Sequence, residues 1–176
     1  MSEDILQRIF KEVRGWYDIN NGRKMLKLAS EVKSGEVVEI GSWCGLSSLC
    51  LGLGHKVWCV DNHGKMFADT YNSGKRTLGE FFDNIIKFNL EGRVIPLVGK
   101  SGDILEIWSR PIGLLFIDDG HTKEEVSNDY KWAKFLVPGG VVVFHDINHP
   151  PIKEFLDETV RKELTEFEPG YFRKEK

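Results

Sequence analysis

The sequence predicts a doubly wound α/β fold, with a mostly parallel sheet and helices on both of its faces. Short, continuously apolar segments alternate with segments of helical periodicity, as in sheets that helices cover on both sides. The first apolar segment ends at Glu39-Ile40 and runs into a glycine-containing turn and a helix. Such a turn brings backbone atoms close to a ligand at the carboxyl edge of the sheet. The 176 residues suit one domain spanning 1–176.

Two helices are expected ahead of the sheet. Ser2 can cap the first helix, and each helix has apolar residues at helical spacing. These positions are Ile5, Leu6, Ile9, Phe10 and Val13 in the first helix, and Met25, Leu26, Leu28, Ala29 and Val32 in the second. The segment of about 1–33 is therefore interpreted as a packing element or a lid.

Five strands are then expected to alternate with four helices. The strands are predicted at 36–40, 56–60, 93–98, 112–118 and 140–145, and the helices at 45–53, 76–90, 122–136 and 151–164. Thr122 and Glu125 form a capping-box pattern at the start of the third of these helices. The segment 137–140 is expected to end that helix, because it contains a proline and two glycines. A shortened antiparallel hairpin is predicted at 167–172.

Composition argues against several classes of partner. The formal charge of −3 and the scattered lysines and arginines do not predict a nucleic-acid partner. No apolar stretch has the length of a membrane span, and the acidic amino terminus does not resemble a signal peptide, so a cytoplasmic protein without a membrane partner is expected. Cys44, Cys50 and Cys59 lack metal-site spacing and are expected to be buried, reduced thiols.

The turn after the first strand restricts the ligand. A dinucleotide-binding turn needs Gly-x-Gly-x-x-Gly, so that the backbone can approach a pyrophosphate. Here Trp43 and Leu46 occupy the second and third glycine positions, and both are too bulky for that approach. Asp61, about twenty residues beyond Gly41, supplies a carboxylate suited to ribose hydroxyls at the end of the second strand. The pattern indicates a cofactor with a ribose but no diphosphate.

What remains of the turn is Glu-x-Gly-x-x-x-Gly, at Glu39, Gly41 and Gly45. It resembles motif I of the class I S-adenosylmethionine-dependent methyltransferases, and the resemblance extends over roughly residues 20–150. The local match is to the catechol O-methyltransferase-like group and to short bacterial sugar and small-molecule O-methyltransferases. The resemblance implies a Rossmann-like fold and S-adenosylmethionine as the cofactor. It implies a cofactor site formed by Glu39, Gly41, Ser42, Trp43, Gly45, Ser47, Asp61, Asn62, Ser101, Gly102, Asp118 and Asp119.

The resemblance also assigns parts of the cofactor to these residues. Glu39 supports the methionine end, and Ser47 stands where the cofactor carboxylate binds. Asp61 takes the ribose with help from Asn62, and Ser101 contacts the adenine. For Glu39 an ion pair within the fold is the alternative, because an unpaired carboxylate in an apolar strand is costly.

Residues that follow strands four and five are expected to carry the chemistry. The resemblance places Asp118 at a metal-binding or cofactor-amine position and His121 at the position of the proton acceptor. Histidine is largely neutral at pH 7 and can take a proton from a hydroxyl, although a lone loop histidine is often structural. Asp118, Asp146 and His145 could together hold a divalent ion. Carboxylates suit Mg²⁺ and imidazole suits Mn²⁺ or Fe²⁺ better, and Ile147 replaces an Asn ligand of the catechol-type enzymes, so the metal is left open.

The function expected from these residues is transfer of a methyl group from S-adenosylmethionine to a hydroxyl oxygen of a sugar or phenol-like small molecule. His121 is the expected general base, with Asp118 and Asp146 as further catalytic residues. Phe67 and Tyr71 are candidates for covering the acceptor. The alternatives are methylation of nitrogen or carbon, and a cofactor-binding sensor or partner subunit without turnover. A homodimer is compatible with the sequence.

Overall fold

The computed structural model describes residues 2–64 and 77–175 and contains a seven-stranded sheet. Its strands are β1 (Glu36–Ile40), β2 (Val57–Asp61), β3 (Val94–Val98), β4 (Ile112–Ile117), β5 (Leu136–Phe144), β6 (Thr165–Glu168) and β7 (Tyr171–Arg173). The strand order is β3-β2-β1-β4-β5-β7-β6. The first five strands pair in parallel, and β7 pairs antiparallel with both β5 and β6. The predicted doubly wound α/β fold and its closing hairpin are confirmed.

Eight α-helices are described in these residues, and they surround the sheet. They are α1 (Ser2–Glu12), α2 (Ile19–Glu31), α3 (Leu46–Gly54), α4 (Leu78–Lys87), α5 (Ser101–Ile107), α6 (Lys123–Tyr130), α7 (Pro150–Phe155) and α8 (Arg161–Glu163). A 3₁₀ turn, Lys131–Phe135, follows α6, and a π-helical turn, Leu156–Val160, joins α7 to α8. The predicted capping box at Thr122 and Glu125 is present at the start of α6.

The largest differences from the predicted boundaries lie at the end of α6 and at the start of β5. The helix predicted over 122–136 is α-helical only to Tyr130, and β5 begins at Leu136 instead of 140. The segment 137–140, predicted as a turn, lies inside β5 as an irregular stretch, because the pairing of β4 with β5 shifts between Ile112 and Leu114. Hydrogen bonds between this stretch and Lys174 keep it in the sheet. The short helix α5 was not predicted, since its seven residues carry only three apolar side chains.

Apolar layers cover the two faces of the sheet. On one face α1 to α4 pack around Met25, Leu49 and Phe81. On the other face α5 to α7 pack around Trp132 and Phe155. The three cysteines are buried, and none forms a disulfide. Among the described residues, no helix has the length and apolar character needed to cross a bilayer.

The order of the strands determines where a ligand can approach. From β1 the chain proceeds to β2 and β3 on one side, and then crosses to β4 on the other side of β1. Such a reversal leaves a crevice beyond the carboxyl ends of the two central strands. The sheet ends at β3 on one side, which contains Pro96, and at β6 on the other, which contains Glu166 and Glu168.

Candidate active site

The turn after β1 lies directly against the chain that leaves β4. Gly41 has φ +88°, and a Cβ atom placed on it would overlap the backbone carbonyl of Asp118. Trp43 and Gly45 also adopt positive φ angles, of 44° and 93°. Left-handed backbone is unfavourable for most side chains, so glycine suits this turn at Gly41 and Gly45. The turn therefore presents main-chain atoms at the crevice between β1 and β4.

Asp61 holds the turn in place. One carboxylate oxygen, Oδ2, accepts hydrogen bonds from the backbone N–H groups of Ser42 and Trp43, at 2.9 and 2.7 Å. The other oxygen, Oδ1, accepts one from the N–H of His63 at 2.6 Å. Each carboxylate oxygen can accept two hydrogen bonds, so Oδ1 keeps a further acceptor position. The structure places Asp61 at the end of β2 as expected, and its contact with a ribose stays a prediction.

Glu39 lies underneath the turn and is completely buried. Its Oε2 atom accepts a hydrogen bond from the Ser48 hydroxyl. Within the part of the chain that the structure describes, neither its Oε1 atom nor the hydroxyl of Ser42 has a hydrogen-bond partner. Burial raises the pKa of Glu39 to about 7, against the opposing effect of nearby serine hydroxyls. A protonatable carboxyl and a free hydroxyl thus lie directly behind the turn.

Four polar side chains from the ends of β4 and β5 converge at the other side of the crevice. His145 Nδ1 lies 2.9 Å from Asp118 Oδ1 and 3.2 Å from Asp146 Oδ1. His121 Nε2 lies 3.1 Å from the second carboxylate oxygen of Asp146. Asp118, His145 and Asp146 each offer one ligand atom, and these atoms all lie within 4.8 Å of one another. The predicted catalytic and metal-binding residues are therefore brought together.

The two carboxylates dominate the electrostatics of this cluster. Burial alone would lower the pKa of His145, but the contact with Asp118 and the charge of Asp146 outweigh it and raise that pKa to about 9. Burial also raises the pKa of Asp118, although His145 opposes this shift. Without a bound cation, His145 consequently carries a proton at pH 7 and partly neutralises its acidic neighbours.

A cavity of about 620 Å³ connects the turn to this cluster. Eight of the residues predicted to form the site line it: Gly41, Ser42, Trp43, Ser47, Asp118, His121, His145 and Asp146. Its other lining residues are Gly15, Trp16, Tyr17 and Leu46. The cavity thus has the glycine turn on one side and the proton-accepting and acidic groups on the other.

The connection between α1 and α2 forms a wall of the cavity that sequence reasoning missed. The Trp16 ring stacks on Trp43 with centroids 4.4 Å apart, and the Tyr17 ring lies 5.1 Å from that of His145. Arg14 forms an ion pair with Glu80 and places its guanidinium 4.9 Å from the centre of the Trp43 ring. No motif connects these residues with the turn, since some 27 positions separate the two tryptophans in sequence. The only signal was a pair of aromatic residues between two amphipathic helices.

The residues expected at the adenine end occupy the neighbouring loops. Ser101 is the first residue of α5, and its hydroxyl donates a hydrogen bond to the carboxylate of Asp129. Asp129 is buried, which raises its pKa to about 7. Asp119 is exposed after β4 and accepts a hydrogen bond from the N–H of Gly120 at 3.0 Å.

Two further residues of the predicted cofactor site are Asn62, which follows β2, and Gly102, which lies in α5. Asn62 accepts a hydrogen bond from the N–H of Gly64 at 2.6 Å, and Gly102 lies in the first turn of α5 with open space around its Cα. Phe67 and Tyr71, predicted to cover the acceptor, lie outside the described residues. Whether these loops contact an adenine or an acceptor stays a prediction.

A mostly parallel sheet with a glycine turn after β1, an acid after β2 and polar clusters after β4 and β5 defines a Rossmann-like α/β domain with a ligand site at the carboxyl edge of the sheet. The model of a family described as a methyltransferase domain matches residues 38–147, which is more than half of the chain. The chain therefore belongs to this methyltransferase domain family, and the resemblance inferred from the glycine turn is confirmed.

Solved structures of O-methyltransferases share the fold. The O-methyltransferase NovP is 21% identical with a TM-score of 0.70, over 89% of this chain and 79% of its own. The O-methyltransferase from Bacillus cereus, in complex with S-adenosylhomocysteine, is 19% identical with a TM-score of 0.65, over 98% of this chain and 87% of its own. The O-methyltransferase TomG from Streptomyces achromogenes is involved in tomaymycin synthesis, and its structure contains S-adenosylmethionine. It is 19% identical with a TM-score of 0.63, over 98% of this chain and 86% of its own.

Proposed function

We propose that this methyltransferase transfers a methyl group from S-adenosylmethionine to a hydroxyl oxygen of a sugar or phenol-like small molecule. The observation that supports this best is the convergence of His121, Asp118 and Asp146 on the cavity that the glycine turn also lines. Two of the compared O-methyltransferases hold S-adenosylmethionine or its demethylated product. The sulfonium already activates the methyl group, so the protein has to align oxygen, carbon and sulfur and to accept a proton.

The groups behind the turn suit the methionine end of the cofactor. Glu39 Oε1 and the Ser42 hydroxyl are buried polar atoms without a protein partner in the described residues. Buried polar groups are normally hydrogen-bonded, and Ser42 lines the cavity, so its hydroxyl favours a ligand with a polar group such as a carboxylate or an ammonium. Gly41 lets that ligand approach the backbone, and Asp61 has an acceptor position left for a ribose hydroxyl.

His121 is the proposed general base. It lies three residues beyond Asp118, lines the cavity, and has its Nε2 atom 3.1 Å from Asp146. A carboxylate next to an imidazole orients the ring and stabilises the imidazolium that forms when the ring accepts a proton. Asp146 therefore has the position of an orienting group for the base.

The donor set at the cavity also fits a divalent cation. His145 Nδ1 is a buried nitrogen that lies 2.9 and 3.2 Å from oxygens of two carboxylates, those of Asp118 and Asp146. Asp118, His145 and Asp146 would hold the ion. When bound, a divalent ion would orient the acceptor's oxygen and lower its pKa. His121 and Asp146 would then still align the acceptor and receive its proton.

The proposal is tested by measuring methyl transfer from radiolabelled S-adenosylmethionine to a panel of phenols and sugars. Once an acceptor is found, single-turnover rates are compared for the wild type and His121→Ala. We expect the variant to bind S-adenosylhomocysteine normally in calorimetry and to lose about a hundredfold to ten-thousandfold in rate.

Two results would contradict this assignment. A wild-type rate in His121→Ala would make this histidine structural. Cofactor binding without turnover on any hydroxyl compound, or turnover only on amines, would replace the proposed reaction by a sensor role or by nitrogen methylation.

A further inference from the structure

We propose that Asp118, His145 and Asp146 form a site that selects Mn²⁺ and related transition-metal ions over Mg²⁺. The inference rests on the proposed function and deepens it, because it names the class of ion that would serve the methyl-transfer site. It follows from the one nitrogen ligand in the cluster and from the way the backbone presents that nitrogen.

The spacing of the three donors fits one ion. Metal–donor distances of about 2.0–2.2 Å place donors on the same ion roughly 3–4.4 Å apart. Here His145 Nδ1 lies 2.9 and 3.2 Å from the nearest oxygens of Asp118 and Asp146, and all three ligand atoms lie within 4.8 Å of one another. A small adjustment of side chains would bring them to coordination distance.

The backbone fixes the direction of the donors. Adjacent residues of an extended strand point to opposite faces, so His145 and Asp146 could not both face the cavity in a regular strand. Asp146 has φ +50°, which interrupts the alternation immediately after β5. The N–H groups of His145 and Asp118 donate to the carbonyls of Ile117 and Ile40, at 3.0 and 2.8 Å. Strand pairing thereby holds the two ligand-bearing residues at the same edge of the sheet.

His121 also helps to orient the carboxylate of Asp146. Its Oδ1 atom faces His145, while its Oδ2 atom lies 3.1 Å from His121 Nε2. Partners of this kind, which contact a ligand and not the metal, orient the ligand and commonly contribute about 10- to 100-fold to metal affinity. The carboxylate can thus contact an ion and His121 at the same time.

The donor chemistry then decides between ions. Mg²⁺ takes oxygen ligands in strict octahedral geometry and loses its water reluctantly, whereas imidazole suits later divalent metals. A neutral imidazole also leaves the site with two negative charges, where a third carboxylate would give three. The nitrogen ligand and the smaller negative charge therefore both weaken the binding of Mg²⁺. For Mn²⁺, Fe²⁺ or Co²⁺, the bond between the metal and the imidazole nitrogen offsets the loss of charge.

The experiment titrates metal-free protein separately with Mn²⁺ and Mg²⁺ by calorimetry and compares three proteins. In the wild type we expect Mn²⁺ to bind about 10- to 100-fold tighter than Mg²⁺. His145→Asp supplies an oxygen in place of the nitrogen, so the Mn²⁺ to Mg²⁺ preference should fall by about tenfold or more. His149→Asp is the matched control. It adds the same charge close to the site, with the His149 ring 5.4 Å from that of His121, but leaves the three donor atoms unchanged, and so should keep the wild-type preference.

A spectroscopic readout identifies the ligand directly. Electron spin echo spectra of bound Mn²⁺ should show modulation from an imidazole nitrogen in the wild type and His149→Asp, and none in His145→Asp. Equal affinity for the two ions, an unchanged preference in His145→Asp, or absence of Mn²⁺ binding would overturn the inference. If His145→Asp does not fold, His145→Asn takes its place and should weaken Mn²⁺ more than Mg²⁺.

Failure of this inference can be separated from failure of the proposed function. S-adenosylhomocysteine is titrated into the same metal-free samples. Cofactor binding without selective Mn²⁺ binding rejects the metal inference alone. Selective Mn²⁺ binding without any cofactor binding rejects methyl transfer while leaving the ion selectivity intact.

Discussion

Gly41 lies in the turn after β1 and packs directly against the backbone that follows β4. Its φ of +88° and the nearby carbonyl of Asp118 leave no room for a side chain. The glycine therefore serves two purposes, since it admits the left-handed backbone and keeps the turn against the chain after β4. A change here acts on the geometry of the whole crevice and not only on the space for a ligand.

Replacing Gly41 by alanine should lower the free energy of unfolding by at least about 1–2 kcal/mol, because a Cβ atom is unfavourable at this angle and overlaps the backbone of Asp118. The measurement is urea unfolding together with calorimetry of S-adenosylhomocysteine. Gly79→Ala is the control. Gly79 lies in α4 with nothing within 4 Å of an added Cβ, so this variant should be as stable as the wild type or slightly more so. Unchanged stability and binding in Gly41→Ala would reject the close approach seen at the turn.

The connection between α1 and α2, residues 13–18, is a structural element of the cavity. It contributes Gly15, Trp16 and Tyr17 to the cavity, and Arg14 links it to α4 through Glu80. The two N-terminal helices are thus more than a packing layer. Their connection forms part of the site wall, and the interpretation of about 1–33 as a packing element or a lid stays a prediction.

Trp16→Ala should weaken binding of S-adenosylhomocysteine by about three- to tenfold, because Trp16 and the Trp43 ring that it stacks on both line the cavity and a bound cofactor would lose apolar contact area. The free energy of unfolding should change by less than about 1 kcal/mol, since Trp16 is 55% exposed. Calorimetry and urea unfolding give the two quantities. Phe82→Ala removes another exposed aromatic side chain, in α4, and should leave the affinity as it is. Equal affinities in the wild type and both variants would remove Trp16 from the site wall.

The elements that could be predicted from the sequence are those that depend on a few adjacent residues. Strands β1 to β4 are continuous apolar runs, and α6 begins at a capping box, so each was predictable from a few adjacent residues. The start of β5 was not, because its irregular stretch is held by pairing with the C-terminal segment around Lys174. The wall formed by Trp16 and Tyr17 was not predictable for the same reason, since it depends on packing between segments distant in sequence.

At the scale of the whole molecule, buried carboxyls make stability depend on pH. The pKa values of Glu39 and Asp129 are raised by burial to about 7, from ordinary values of 4.5 and 3.8. Between the ordinary and the raised values, the folded chain holds protons that the unfolded chain has released. The contribution of these groups to stability is therefore complete below about pH 4 and is lost as the pH rises through about 7.

Glu39→Gln should remove part of this dependence, because glutamine resembles the protonated carboxyl and cannot ionise. We expect the variant and the wild type to have similar free energies of unfolding at pH 5. At pH 8 the variant should be more stable, by on the order of 3 kcal/mol. Urea unfolding at pH 5, 6, 7 and 8 measures the difference, with Glu106→Gln on the exposed face of α5 as the control. If the free energies of unfolding of Glu39→Gln and the wild type differ by the same amount at every pH, then Glu39 is ionised in the folded protein over this whole range, which contradicts the prediction.

The two outer strands of the sheet have a consequence for self-association. Pro96 in β3 has no N–H to donate, so a second chain that extended the sheet along this edge would lack a ladder hydrogen bond. On the opposite edge, β6 contains Glu166 and Glu168, which form ion pairs with Arg161 and Lys24, and such charged side chains disfavour the addition of a further strand. Both edges thus disfavour extension of the sheet by a second chain. We therefore expect a homodimer of this chain, if it forms, to use a surface other than these two sheet edges.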